Sequence, residues 1–146
     1  MAYVGSSSSW AGKRIDSLSA SATLSEGDAG KVILINTSGI TITLPPLSGS
    51  GAVSPGWSCK IIANVDIGGN TDVNANSAAT QIWGHLHNSL GGDDGAGDMG
   101  VAADDGVRFA AASTQGDFVD LVTDGTSWFA NGSFGVDAGM AFIDNS

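Results

Sequence analysis

Residues 30–46, Gly-Lys-Val-Ile-Leu-Ile-Asn-Thr-Ser-Gly-Ile-Thr-Ile-Thr-Leu-Pro-Pro, decide the class of this protein. A run of the buried-strand type, Val32 to Ile35, meets the turn signal Thr37-Ser38-Gly39 and gives way to strict alternation. Ile40, Ile42 and Leu44 point one way, and Thr41 and Thr43 the other. Proline has no N–H to give a ladder, so Pro45-Pro46 ends the pairing. The stretch predicts a β-hairpin with one core face and one wet face. Near the other end, residues 117–131 (DFVDLVTDGTSWFAN) repeat the logic around an Asp124-Gly125 turn.

Working outward, 146 residues make one ordinary domain with room for a real core. The 22 glycines, the many Ser, Thr and Asn residues and the scarcity of Leu, Glu, Lys and Arg favour turns and strands over helix surfaces. Five cations against 15 acids give a net charge of −10, which repels phosphate backbones and anionic membranes. Nucleic acid and membrane are therefore not expected partners. The charge is uneven: residues 1–24 carry +1 and the other 122 carry −11.

Residues 1–23 are Ser-rich, with Tyr3, Trp10 and Ile15 at neither strand nor helix period, and read as an extended N-terminal arm. Tyr3, Trp10, Lys13 and Arg14 are its docking candidates. The body, residues 24–146, continues with a third strand, Trp57 to Val65, and a short strand over Thr71–Asn76 placed near an edge. Ile82-Trp83-Gly84 closes that unit. Residues 85–106 hold six glycines and five aspartates and read as a long Gly/Asp-rich loop, the specialised feature of the outer body. Val107–Ser113 resumes the sheet, the hairpin Phe118–Thr123/Ser127–Asn131 follows, and the apolar tail Phe134–Ile143 packs. Short strands at this spacing predict an all-β fold, a single antiparallel, jelly-roll-like β-sandwich. The absence of an internal repeat of 20–50 residues disfavours a solenoid.

Chemistry is sparse in the sequence. No nucleophile motif, phosphate loop or Cys/His constellation occurs, so no catalytic residue and no cofactor are expected. Cys59, the only cysteine, sits among Trp57, Ile61 and Ala63 and reads as a small buried hydrophobe. Asp93, Asp94 and Asp98 offer oxygen ligands without a known calcium spacing, and the Asn70/Asp72/Asn74/Asn76 run lacks the turn glycine and the final Glu of such a loop. No metal site is assigned. His85 and His87 would share a face on a strand but read as exposed. Trp57, Trp128, Phe109, Phe118 and Phe129 read as core or strand-end residues. Core packing is also the plainer reading for Trp83; stacking on a sugar, together with His85, His87, Asp93, Asp94 and Asp98, is the functional one.

Taken in order, residues 24–35 (LSEGDAGKVILI), 40–45 (ITITLP), Gly56-Trp57, Ile82-Trp83-Gly84 and 119–129 (VDLVTDGTSWF) resemble small β-sandwich proteins of tailed-bacteriophage virions. Such domains occur in capsid decoration (cement) proteins and in tail-fibre appendages. The likeness spans roughly Leu24–Gly132. It implies a structural homo-oligomer, most often a trimer, with no catalytic residues to transfer. A short chain starting at Met1, with one sandwich and an arm, suggests the decoration type. That protein would be made in the host cytoplasm and bind the major capsid protein on the outer surface of the virion head. The alternative is a trimeric tail-fibre or receptor- and glycan-binding tip.

Overall fold

The computed structural model describes residues 14–90 and 97–145 and shows an all-β sandwich. Its strands are β1 (Ile15–Leu18), β2 (Ala22–Thr23), β3 (Val32–Ile35), β4 (Thr41–Thr43), β5 (Ser58–Ala63) and β6 (Thr71–Asn74) in the first half. The second half supplies β7 (Ile82–Asn88), β8 (Asp98–Met99), β9 (Gly106–Phe109), β10 (Phe118–Thr123), β11 (Trp128–Phe134) and β12 (Met140–Ile143). A seven-stranded sheet has the order β1-β3-β5-β10-β11-β7-β8, and a five-stranded sheet the order β12-β9-β6-β4-β2.

Residues 30–46 do not form a hairpin. β3 lies in the seven-stranded sheet and β4 in the five-stranded one, so the turn between them is a corner from one layer to the other. Gly39, at φ +76°, makes the bend, and its N–H donates to the buried Thr71 Oγ1 at 3.1 Å. The apolar alternation is nonetheless correct: Ile33, Ile35, Ile40, Ile42 and Leu44 are all buried, and they face one another across the core. Pro45 and Pro46 follow the last contact of this strand, where the Leu44 N–H reaches the Asn74 carbonyl at 2.8 Å.

The same corner occurs three times. β1 then β2, β3 then β4, and β5 then β6 each begin in the seven-stranded sheet and end in the five-stranded one, and the three coils stack with parallel pairing. This corrects two expectations. The sandwich is mixed rather than antiparallel, with five of the ten strand pairs among the described residues parallel. Residues 15–23 are also not part of an arm, because β1 and β2 are integral to the two sheets, and residues 1–13 of the expected arm lie outside the described residues. β6 is the central strand of its sheet, not an edge, and its Thr71 and Val73 are fully buried.

The second half closes the sandwich around this stack. β10 and β11 are a true hairpin that inserts between β5 and β7, running antiparallel to β5 while β11 runs parallel to β7. β7 continues through His85 and His87 to Asn88, so the expected loop at 85–106 begins later and is interrupted by β8. The apolar tail packs as expected, β12 lying beside β9.

Between the layers, Trp128 and Phe109 are fully buried together with Ile61, Ile82, Leu86 and Leu121. Each such side chain contributes about 1.5–3 kcal/mol of burial free energy. One end of the core is tied by Asp117. Its buried carboxylate accepts hydrogen bonds from Ser113 Oγ (2.7 Å), Thr114 N (2.9 Å), Thr114 Oγ1 (3.4 Å) and Gly135 N (2.9 Å).

Candidate functional site

Alternation sends every second residue of the seven-stranded sheet outward, and the pairing register aligns those residues into rows. One row crosses the whole sheet: Ile15, Val32, Lys60, Asp120, Asn131, His85 and Met99. A shorter row, Ser58, Val122, Phe129 and Trp83, lies on one side of it, and Ser17, Leu34, Ile62, Phe118, Ser133 and His87 lie on the other.

This face is unusually apolar for one turned to solvent. Ile15 is 63 % exposed, Met99 58 %, Phe129 42 % and Val122 41 %. Phe129 and Trp83 are register partners on adjacent strands, so both side chains leave the same face of the sheet at the same level. Between them and β3 runs a groove of about 570 Å³, lined by Val32, Ser58, Lys60, Asp120, Phe129 and Asn131 among others. Lys60 Nζ stands 3.7 Å from Asp120 Oδ1 and 4.5 Å from the centre of the Phe118 ring. Its ammonium charge is thus matched by a carboxylate while its stem covers an aromatic face.

The aromatic assignments split accordingly. Trp57, Trp128 and Phe109 are core residues. Phe118 and Phe129 are on the outer face, as is half-buried Trp83. The signal for Phe129 was in the sequence, because adjacent residues of a strand face opposite ways and Trp128 and Phe129 cannot both point inward. His85 and His87 do share this face, with ring centroids 6.2 Å apart.

The described aspartates of the expected loop, Asp98, Asp104 and Asp105, are not gathered beside them. Asp98 Oδ2 accepts the Phe142 N–H at 2.7 Å, which ties β8 to β12 of the other sheet. Asp104 Oδ2 accepts the Val101 N–H at 2.7 Å, and buried Asp105 accepts from the Asn145 N–H at 2.9 Å and from its side-chain amide at 2.7 Å. These carboxylates clamp the fold. Asp93 and Asp94 lie outside the described residues, as do Tyr3, Trp10 and Lys13 of the arm. Arg14 is at the start of β1, where its carbonyl accepts the Val32 N–H at 2.8 Å.

Asp72, from the Asn/Asp run, is engaged by Arg108, with Nε and Nη2 at 2.7 and 2.8 Å from its two oxygens. That bidentate fork accounts for the residue without a metal. Among the described residues, no three His, Cys, Asp or Glu side chains are grouped so as to hold a metal ion. Cys59 faces the core, and burial pushes its thiol up to about 12. No helix of the described residues is long and apolar enough to cross a membrane. Chemically, the outer face offers apolar contact area and a matched charge pair, which suits association rather than bond making. Neither a protein-family model nor a curated protein sequence matches the chain.

Proposed function

We propose that this chain is a bacteriophage structural protein, a capsid decoration protein that binds the outer surface of the head as a homotrimer and stabilises it. One observation carries the assembly part of the reading. Four of the six large apolar side chains most exposed among the described residues, Ile15, Met99, Val122 and Phe129, share a single sheet face. The capsid part is supported by the likeness of residues 24–132 to virion sandwiches. It is also supported by where the docking candidates join the body: the segment with Tyr3, Trp10 and Lys13 enters at Arg14, on the edge strand β1. The partner in this reading is the major capsid protein, and catalysis has no part in it.

The test is co-sedimentation of purified protein with undecorated capsids, followed by electron microscopy. Hundreds of copies on the head are expected, and deletion of residues 1–13 should abolish binding while leaving the sandwich folded. Protein found only at the tail, or unable to bind heads, overturns the reading. The register partners Trp83 and Phe129, two aromatic side chains on the outer face, favour a second reading, a glycan-binding tip of a tail fibre. Adsorption to host cells that is lost in Trp83→Ala is its expected outcome.

A further inference from the structure

We infer that the outer face of the seven-stranded sheet packs against the same face of further copies of this chain. The inference rests on the homo-oligomeric part of the proposed function and names its contact surface.

Charge selects the occupant. The chain carries −10, so two copies repel one another over most of their surface. The charged side chains in the rows of this face are Lys60 and Asp120, which balance each other 3.7 Å apart. A neutral patch lets an acidic protein approach its own copy without that repulsion. A basic partner would gain nothing there and would settle on the acidic remainder.

Size agrees. Seven strands about 4.8 Å apart, each rising about 3.3 Å per residue, give a face of about 500 Å² in projection. That is of the same order as the roughly 800 Å² per partner buried in a standard interface. The apolar side chains surround the balanced Lys60–Asp120 pair, with Val122, Phe129 and Trp83 on one side, Leu34, Ile62 and Phe118 on the other, and Ile15 and Met99 on the two edge strands.

The experiment is the solution mass of the full chain by light scattering, beside Val122→Glu, Phe129→Glu and a control outside the face, Leu90→Glu. Wild type and control are expected to be oligomers. The two face variants, whose altered side chains point away from the core, should keep the wild-type circular dichroism and fall to monomers, with association weakened at least tenfold. Folded face variants that retain the wild-type mass overturn this surface while leaving the capsid reading intact. A monomeric wild type overturns the surface and the oligomer together, and capsid co-sedimentation scores the capsid reading separately. A monomeric wild type retained on a polysaccharide through Phe129 assigns the face to sugar and equally overturns the inference. Should a face variant fail to fold, hydroxyl-radical footprinting of the wild type replaces it. Phe129 and Met99 should become protected relative to Leu90 as concentration rises, and equal labelling at all concentrations refutes the contact.

Discussion

Trp128 stands edge-on to Trp57, the ring centroids 5.5 Å apart and the planes at 84°, and it does so without a hydrogen-bond partner for its own indole N–H. Trp57 differs, since its Nε1 donates to the Ser25 carbonyl at 3.2 Å. The Trp57 indole is anchored, and that of Trp128 is held by packing alone. An aromatic pair of this geometry adds about 0.5–1.5 kcal/mol to its burial, and an orphan buried donor costs about 1–3 kcal/mol.

Trp128→Phe therefore keeps most of the apolar contact and removes the orphan donor. Its expected cost is under about 2 kcal/mol, whereas Trp128→Ala should cost about 3–5 kcal/mol. Urea denaturation of both variants checks the difference. Equal losses would mean that the N–H is satisfied in solution.

Gly84 sits in β7 with φ +144°, where an added Cβ would collide with the carbonyl oxygen of Ala130 on the neighbouring β11. Gly84→Ala must push the two strands apart along the parallel seam that joins β7 to the rest of its sheet. Loss of soluble folded protein, or destabilisation above about 3 kcal/mol, is expected. Gly49→Ala, also at positive φ but with open space around it, should cost only about 1 kcal/mol. Thermal melts of the pair separate backbone strain from collision.

Lys31 bridges Asp28 at 2.8 Å and Asp16 at 3.1 Å, fastening the turn before β3 to the edge strand β1. Burial by itself raises the pKa of Asp28, but hydrogen bonds from Lys31 and Ser25 outweigh it and hold the carboxyl below its ordinary 3.8. Hydrogen bonds to Asp28 and then Asp16 hold Lys31 above its ordinary 10.5. A carboxyl lowered on folding stabilises the protein above its ordinary value, and that contribution is lost as pH falls through the folded one. A raised ammonium contributes below its ordinary value and loses the contribution as pH rises through the raised one. Lys31→Met should thus cost about 1–2 kcal/mol between roughly pH 4 and pH 10. The gap to wild type should close at both extremes, which denaturation at pH 2.5, 7 and 11.5 would reveal.

With its thiol at about 12 and its side chain in the core, Cys59 is expected to resist alkylation at pH 8. Iodoacetamide should label it only in denaturant, at a rate set by opening of the β5–β10 region. Rapid labelling of native protein would place the thiol at a mobile edge instead.

For β4, β5, β6 and β9, which face is buried was legible in the sequence; which strand each one pairs with was not. Ile40, Ile42 and Leu44 are inside, as their alternation requires, but alternation is satisfied equally by a hairpin and by a corner between layers. The difference lies in the turns. At the other end, Asp124 Oδ1 accepts from Thr126 N and Ser127 N, both at 2.8 Å, and Thr123 Oγ1 accepts from Gly125 N at 2.9 Å. That turn closes on itself and makes a hairpin. At Ser38-Gly39 the N–H of Gly39 instead reaches Thr71 on a strand far along the chain. Coil stacking escaped detection because its steps are unequal, Ile15 aligning with Val32 but Val32 with Lys60. Of the candidate site, Trp83, His85 and His87 fall on one face as their spacing implies. Asp98 leaves it because its partner, the Phe142 N–H, is a backbone group that composition cannot reveal.

The insertion of the β10–β11 hairpin between β5 and β7 has a kinetic meaning. Until residues 118–134 arrive, the seven-stranded sheet exists only as a three-strand fragment, β1-β3-β5, and a separate two-strand one, β7-β8. Register partners such as Cys59 with Leu121 and Ile82 with Trp128 lie far apart along the chain, and closing loops of that length is slow. A chain that lacks this hairpin therefore leaves the β5 and β7 edges open and the core unfinished, and the hairpin seals both edges in one step.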